Sequence, residues 1–516
     1  MVVFVLTFAT ILVLLWVAVN SLWVFPRKIY KKLRKNGFDG PKPIFPLGNI
    51  SEIRQSYDQR DIVKFLPSSV ISHDIHSSVF PYFYRWQSIY GKVFIYWLGT
   101  EPFLYTADPE FLRKMASIVK GKDWGKPTVF KKDRQPMFGN GLVMVEGQKW
   151  LTHRRVISLA FSPPNLHAMT SLMLESTRKM LDRWGALVAL GKSEIDAEAE
   201  LSITTGEIIA RITFGLDHKN GREVFEKLRT MQKVLFSANR FVGVPFSRLV
   251  QPNKVHQAYR LGKDIDRLIL SIIKERKEWD ISGKENVGVH KDLLGAMLQG
   301  NKHSDDHVFS ERELLDECKT FFFGGHETTA LLITWTLLVL AAYPTWQDQL
   351  REEVKQVVGD NNIIDANMLS KLTKMRWVQN EVLRLYSPAP NAQRQSREDI
   401  SIENNVIPKG TNIWIDVVSM HHDKSLWGDD VMEFKPQRFQ NDPLYGGCKH
   451  KMGFLPFGFG GRMCVGRNLS MMEYKIILSQ ILTQFSFSVS SNYIHSPVHM
   501  LSLRPTHGLP LIFKSL

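Results

Sequence analysis

The first 26 residues carry no charged side chain, and Val2 to Val19 is almost wholly apolar. Such a run forces one segment of the chain out of water, because about 20 apolar residues are what a helix needs to cross a bilayer. Arg27, Lys28, Lys31, Lys32, Arg34 and Lys35 follow at once. A cleaved signal peptide has its charges before a short apolar core and a small-residue cleavage site after it. Here the charges follow the run, and Trp16, Trp23 and Phe25 lie near its end. The pattern predicts a membrane anchor over 1–26, with its basic side in the cytosol. Pro41, Pro43 and Pro46 cannot be helix interior, so 27–50 reads as a basic and proline-rich hinge. Residues 51–516 remain as one body, and no other apolar run of spanning length appears, which predicts a single span.

The body has ordinary globular composition, with 44% hydrophobic and 23% charged residues, which excludes disordered and collagen-like chains. The net charge of +15 suits nucleic acid, an anionic membrane or an acidic protein partner. Six of the basic residues flank the anchor and no nucleic-acid recognition motif occurs, so nucleic acid is set aside. Cys318, Cys448 and Cys464 are the only cysteines. An odd, sparse set points to a reducing compartment rather than a disulfide framework. Residues 92–98 and 102–106 are aromatic and β-branched around Gly99-Thr100, which predicts a hairpin. Helical periods dominate from about 145 onward. Residues 306–340 predict one long helix, apolar enough to be buried, and 345–358 and 368–386 predict two more. Strand-like patterns recur at 401–416 and 497–514. The fold class is mainly α with small β-sheets, in one domain.

Chemistry concentrates at Phe457-Gly-Phe-Gly-Gly-Arg-Met-Cys-Val-Gly466. Glycines let a backbone approach a flat ligand closely. An apolar helix predicted over 467–483 would point its N-terminal N–H groups at Cys464 and favour thiolate. Thiolate is the form that ligates haem iron, and Arg462 is placed to reach a haem propionate. A lone cysteine is otherwise most often a buried structural one. The combination Phe457-x-x-Gly460-x-Arg462-x-Cys464-x-Gly466 is far more specific.

That loop resembles the haem-binding signature of cytochrome P450, the haem-thiolate monooxygenases. The resemblance extends over essentially the whole chain, with its motifs in family order. Glu381-Val-Leu-Arg384 resembles the family's Glu-x-x-Arg pair, and Phe434-Lys-Pro-Gln-Arg-Phe439 its Pro-Glu-Arg-Phe segment, with Gln437 in place of the usual Glu. The resemblance implies a Glu381–Arg384–Arg438 network serving folding and haem incorporation. Gly324-Gly-His-Glu-Thr-Thr329 interrupts the long helix and resembles the oxygen-activation motif. Thr328 would then steady dioxygen and the protons delivered to it, and Glu327 would feed protons from solvent. His326 reads as a neighbour rather than an iron ligand. The same segment could instead be a helix defect, with Thr328 bonded back to a carbonyl. Trp150-Leu-Thr-His-Arg154 resembles the family's Trp-x-x-x-Arg helix, and with Arg394 it implies further propionate contacts. Residues 317–329 look like a plant clan acting on cytokinins, gibberellins, brassinosteroids and triterpenoids.

The resemblance implies haem b held by Cys464 as axial ligand, O2 as co-substrate, and electrons from NADPH. No dinucleotide fingerprint or flavin segment is present, so the electrons are expected from a separate NADPH–cytochrome P450 reductase. Lys149, Arg154, Arg155, Lys449, Lys451 and Arg467 are candidates for its docking face. The expected site is the endoplasmic reticulum membrane, with the catalytic domain in the cytosol. The expected substrate is small and largely apolar. Family analogy draws its walls from 118–140, 236–252, Phe321–Phe323, Pro388–Gln393 and the region of Arg504–Pro510. A haem-thiolate isomerase or dehydratase, and a non-catalytic haem carrier or sensor, are the alternatives. Glu327 and Thr328 argue against both.

Overall fold

The N-terminal run and its basic continuation form one helical rod. Val2–Val19 is α-helical, Asn20–Val24 makes a wider π-type turn, and Phe25–Lys35 returns to α-helix. The rod spans 34 residues with mean hydropathy 2.9 in its apolar window, none of which is buried. That is compatible with a single-pass anchor on the folded body. The computed structural model describes residues 2–58, 63–64, 71–214, 219–236, 241–250, 252–281, 292–299, 309–359 and 365–516.

The segment expected as a hinge is docked on the body rather than free. Pro26, Leu33 and Phe38 are buried, and Asn36 donates to the Val406 carbonyl. Phe45 packs edge-on against Trp97, with ring centroids 5.0 Å apart. The helix ends at Lys35, where Asn36 caps it and Gly37 turns the chain at φ +88°; the prolines beyond keep the chain out of helix.

That sheet contains the expected hairpin. Val93–Leu98 and Glu101–Thr106 pair antiparallel; Asn412–Asp416 adds in parallel, and Asn391–Gln395 closes the other edge. Gly99 turns the hairpin at φ +61°, and a Cβ there would lie 2.2 Å from the Gly243 backbone. Only glycine permits both the turn and the approach. One face packs an aromatic cluster in which Phe94 stacks on Tyr105 at 4.4 Å and Phe83 lies 5.6 Å from Trp414.

The rest is mainly helical. The long helix runs Glu311–Ala342, a few residues later than the pattern predicts, because Ser310 and Glu313 form a capping box that sets its start. It is apolar enough to span a bilayer, yet 78% of its apolar window is buried in the body, so it is the core helix. It packs against Ala197–Phe214 and against Arg467–Gln484, the helix that follows the cysteine loop. The 368–386 stretch divides into Ala366–Lys371 and Thr373–Leu385. The C-terminal strand pattern resolves into a hairpin, Pro497–Met500 with Ser502–Pro505, and an edge-to-edge sheet of Glu194–Asp196, Pro510–Ser515 and Phe485–Val489.

Candidate active site

The cysteine loop turns through left-handed backbone at Gly458 (φ +76°) and Gly460 (φ +60°), and closes when the Cys464 N–H donates to the Phe457 carbonyl at 2.9 Å. The Cys464 side chain is exposed onto a cavity of about 400 Å³. Phe457 and Gly466 line the same cavity. Burial pushes the Cys464 thiol up, against the Gly466 N–H, Arg154 and Arg467, which pull it down. A bound metal cation would favour the thiolate further, since a coordinating thiol is deprotonated outright.

One wall of the cavity is basic. Arg462 donates to the carbonyls of Gly121, Val145 and Trp124 at 2.8–3.0 Å and lies 4.4 Å over the Trp150 ring. Burial, helped by Arg394, lowers its guanidinium to about 9. Arg154 donates to the Met463 carbonyl at 2.8 Å. Arg394 is 6% exposed, stands 5.7 Å over Phe459, and leaves its Nε without a partner. Lys126 completes the wall, its amine pushed well below the usual lysine range by burial and by Arg394, Arg134 and Arg462. Nothing in the sequence pattern singled out Lys126. Trp150, Arg154, Arg394 and Arg462 are thus brought together around one cavity with Cys464.

The opposite side is the core helix. It runs unbroken through Gly324-Gly325, contrary to the expected interruption. The two glycines serve different ends. A Cβ at Gly325 would lie 2.5 Å from Ile209, whereas one at Gly324 would meet nothing. Thr328 lines the cavity and donates to the Gly324 carbonyl at 2.9 Å. Thr329 bonds Ser470 at 3.0 Å, tying the core helix to the helix after Cys464. His326 bonds the Phe322 carbonyl and packs on Phe225, off the cavity.

Glu327 also lies off the cavity lining. Its carboxylate accepts from Gln232 at 3.0 Å and Ser502 at 2.7 Å, with Arg504 at 3.7 Å. Arg504 pairs in turn with Glu198 at 2.5 Å, and Glu198 with the part-exposed Arg229 at 3.3 Å. Burial would raise the Glu327 carboxyl, but Arg504, His326, Gln232 and Ser502 together hold it below the usual range. Gln232, Glu198 and Arg504 were invisible to sequence reasoning, because their partners lie 95 to 306 positions away.

Of the cations expected on the docking face, Arg154 bonds the loop, and Arg467 stands 5.8 Å over Phe457. Lys149 pairs with Glu313 at 2.9 Å. Arg155, Lys449 and Lys451 are exposed. Of the expected walls, Arg504–Pro510 and Phe322–Phe323 do not line the cavity, while Ile209, Phe161 and Leu501 do. Part of 236–252 lies outside the described residues.

Glu381, Arg384 and Arg438 meet away from the cavity. Arg384 donates twice to Glu381 at 2.8 Å, both side chains are fully buried, and Arg384 also binds the carbonyls of His421 and Val431. Arg438 approaches Glu381 at 3.4 Å and pairs with Asp430 at 2.7 Å. By contrast Glu110 and Arg113, with the same spacing, form an exposed pair.

The sequence profile of the cytochrome P450 family matches residues 68–510. The chain belongs to the cytochrome P450 family. A cytokinin hydroxylase of Arabidopsis thaliana is 37% identical over 98% of this chain and 97% of its own length. Cytochrome P450 714C2 of Oryza sativa subsp. japonica is 36% identical over 96% of this chain and 94% of its own. Cytochrome P450 734A1 of Arabidopsis thaliana is 34% identical, again over 96% and 94%. Membership makes this cytochrome P450 a monooxygenase that uses haem and O2. The residues present fit haem: a sulfur open to a cavity, and beside it cations, one of them buried with an unpartnered Nε, suited to two carboxylates.

Proposed function

We propose that this cytochrome P450 hydroxylates a small, largely apolar metabolite of the plant hormone or terpenoid class. Val2–Val19 anchors it in the endoplasmic reticulum membrane with its body in the cytosol, and NADPH–cytochrome P450 reductase supplies its electrons. The observation that carries the reading is that Cys464 and Thr328 line one cavity whose other walls include Phe138, Phe321, Leu332 and Leu501. The relative named as a cytokinin hydroxylase supports the substrate class.

Haem, when bound, supplies the activation of dioxygen and the oxidation of a C–H bond. Cys464 would hold the iron as thiolate. Trp150, Arg154, Arg394, Arg462 and Lys126 would hold the haem carboxylates by charge-assisted bonds. Phe457, Gly460 and Gly466 shape the loop around the sulfur. The Thr328 hydroxyl holds a proton at the cavity. Glu327, one residue before Thr328 on the core helix, is the acid that passes protons from solvent toward the cavity. The apolar walls exclude water from the reacting carbon. Glu381, Arg384 and Arg438 hold the scaffold on which the loop rests.

The test is the difference spectrum of the reduced protein under carbon monoxide. A band at about 450 nm that is lost in Cys464→Ala is expected for thiolate ligation. A band at about 420 nm in well-folded wild type, unchanged by that substitution, sinks the reading. Product formation that stops when the reductase is withheld separates hydroxylation from isomerase chemistry.

A further inference from the structure

Of the five cations that line the cavity, four are assigned above to the haem carboxylates, which leaves Arg134. Lys126, Arg134, Arg154, Arg394 and Arg462 all line the cavity, and among the described residues no Asp or Glu does. Haem brings two carboxylates. Arg154, Arg394 and Arg462 each touch or belong to the cysteine loop, through the Met463 carbonyl, the Phe459 ring and position 462 itself. Arg134 is different. It sits on the helix Thr128–Phe138, and its partners are elsewhere. Its guanidinium is sandwiched between Phe130 at 4.2 Å and Phe236 at 5.1 Å, and donates to the Gln393 side-chain oxygen at 3.0 Å. Gln393 is itself oriented by donating to Asn391 at 2.9 Å, and both line the cavity.

Arg134 is 7% exposed, and its Nε has no hydrogen-bond partner. Among the described residues it has no acidic partner, and burial alone lowers its guanidinium to about 9. A buried cation without a counter-charge is costly unless a bound ligand completes it. Two aromatic rings offset part of that cost and hold the planar fork in one orientation. A guanidinium held this way binds a carboxylate or phosphate in bidentate fashion.

Building on the hydroxylase reading above, we propose that the substrate is an amphiphile: an apolar body, and an anionic carboxylate or phosphate group that Arg134 and Gln393 hold at the polar end of the cavity. Arg134 thereby fixes which end of the substrate points away from the cysteine loop, and so which carbon can be oxidised.

The experiment titrates the haem-loaded protein with four probes sharing one isoprenoid tail: farnesoic acid, methyl farnesoate, farnesyl phosphate and farnesol. Binding is read from the haem spectrum. At least one anion should bind about tenfold or more tighter than its neutral partner. The acid-to-ester and phosphate-to-alcohol ratios distinguish the carboxylate from the phosphate. Arg134→Gln should erase that preference without changing the affinity of the neutral partner, and Arg134→Lys should restore part of it. Equal affinity within both pairs, no binding by either anion, or a haem-loaded Arg134→Gln protein whose anion preference stays intact would each overturn the proposal. The carbon monoxide band reports the thiolate separately, so a wild-type protein with that band intact and no anion preference sinks this inference alone.

Discussion

Glu327 and Thr328 are adjacent, yet their side chains serve different faces of the core helix. Thr328 lines the cavity, and Glu327 is buried among Gln232, Ser502 and Arg504. Its carboxyl is held below the usual range despite burial. A depressed folded pKa contributes stability above the unfolded value, about 4.3, and loses it as pH falls through the folded one. Wild type and Glu327→Gln should therefore differ in melting temperature at neutral pH and converge in acid. A constant difference across pH would show that the charge is not what stabilises the site. The Glu381–Arg384 pair is a second residue-scale case, because neither partner has water to fall back on. Glu381→Ala should cost about 3–5 kcal/mol, seen as little or no haem-loaded protein on expression. The motif spacing made this pair legible in the sequence. The carbonyls of His421 and Val431 that complete it were not, because a backbone acceptor has no residue type.

The two glycines of the core helix make an element-scale contrast. Each lowers helix propensity by about 1 kcal/mol relative to alanine. At Gly324 an added methyl meets nothing, so Gly324→Ala should raise the melting temperature while its methyl enters the cavity and weakens binding of bulky ligands. At Gly325 the methyl would meet two Ile209 atoms at 2.5 Å, so Gly325→Ala should destabilise by about 1–3 kcal/mol through overpacking. Thermal unfolding of the two variants separates the roles. A pattern of paired glycines announced a purpose but could not divide it, since the division depends on which neighbour each faces. Thr328 shows the same limit. Its bond back to Gly324 is the local option that Ser and Thr always have in helices, while its place on the cavity depends on packing.

At the scale of the molecule, the N-terminal apolar helix and the body meet through a docked segment. Removing residues 2–24 should release the protein from membranes while leaving its melting temperature and carbon monoxide band intact. Removing residues 2–47 also strips the buried Leu33 and Phe38 and the Phe45–Trp97 contact. Each buried apolar side chain contributes about 1.5–3 kcal/mol, so this longer truncation should unfold at distinctly lower temperature. Equal stability of the two truncations would show that the segment adds nothing to the body.

Several properties of this chain were determined locally and could be read from the sequence alone. They include the apolar rod, the hairpin at Gly99, the cysteine loop, the Glu381–Arg384 spacing and the helical body. Each depends on residues close together in the chain, where periodicity, glycine backbone freedom and i,i+3 geometry act directly. Tertiary structure alone decided which charges share a cavity and which are spent elsewhere. It docked the proline-rich segment on the sheet, and set Arg504 against Glu198 and Glu327 instead of in the cavity wall. It also left Arg134 buried beside Gln393, 259 positions away, without a counter-charge. Burial and long-range pairing set the energy of a charged group, and neither is written in the residues beside it.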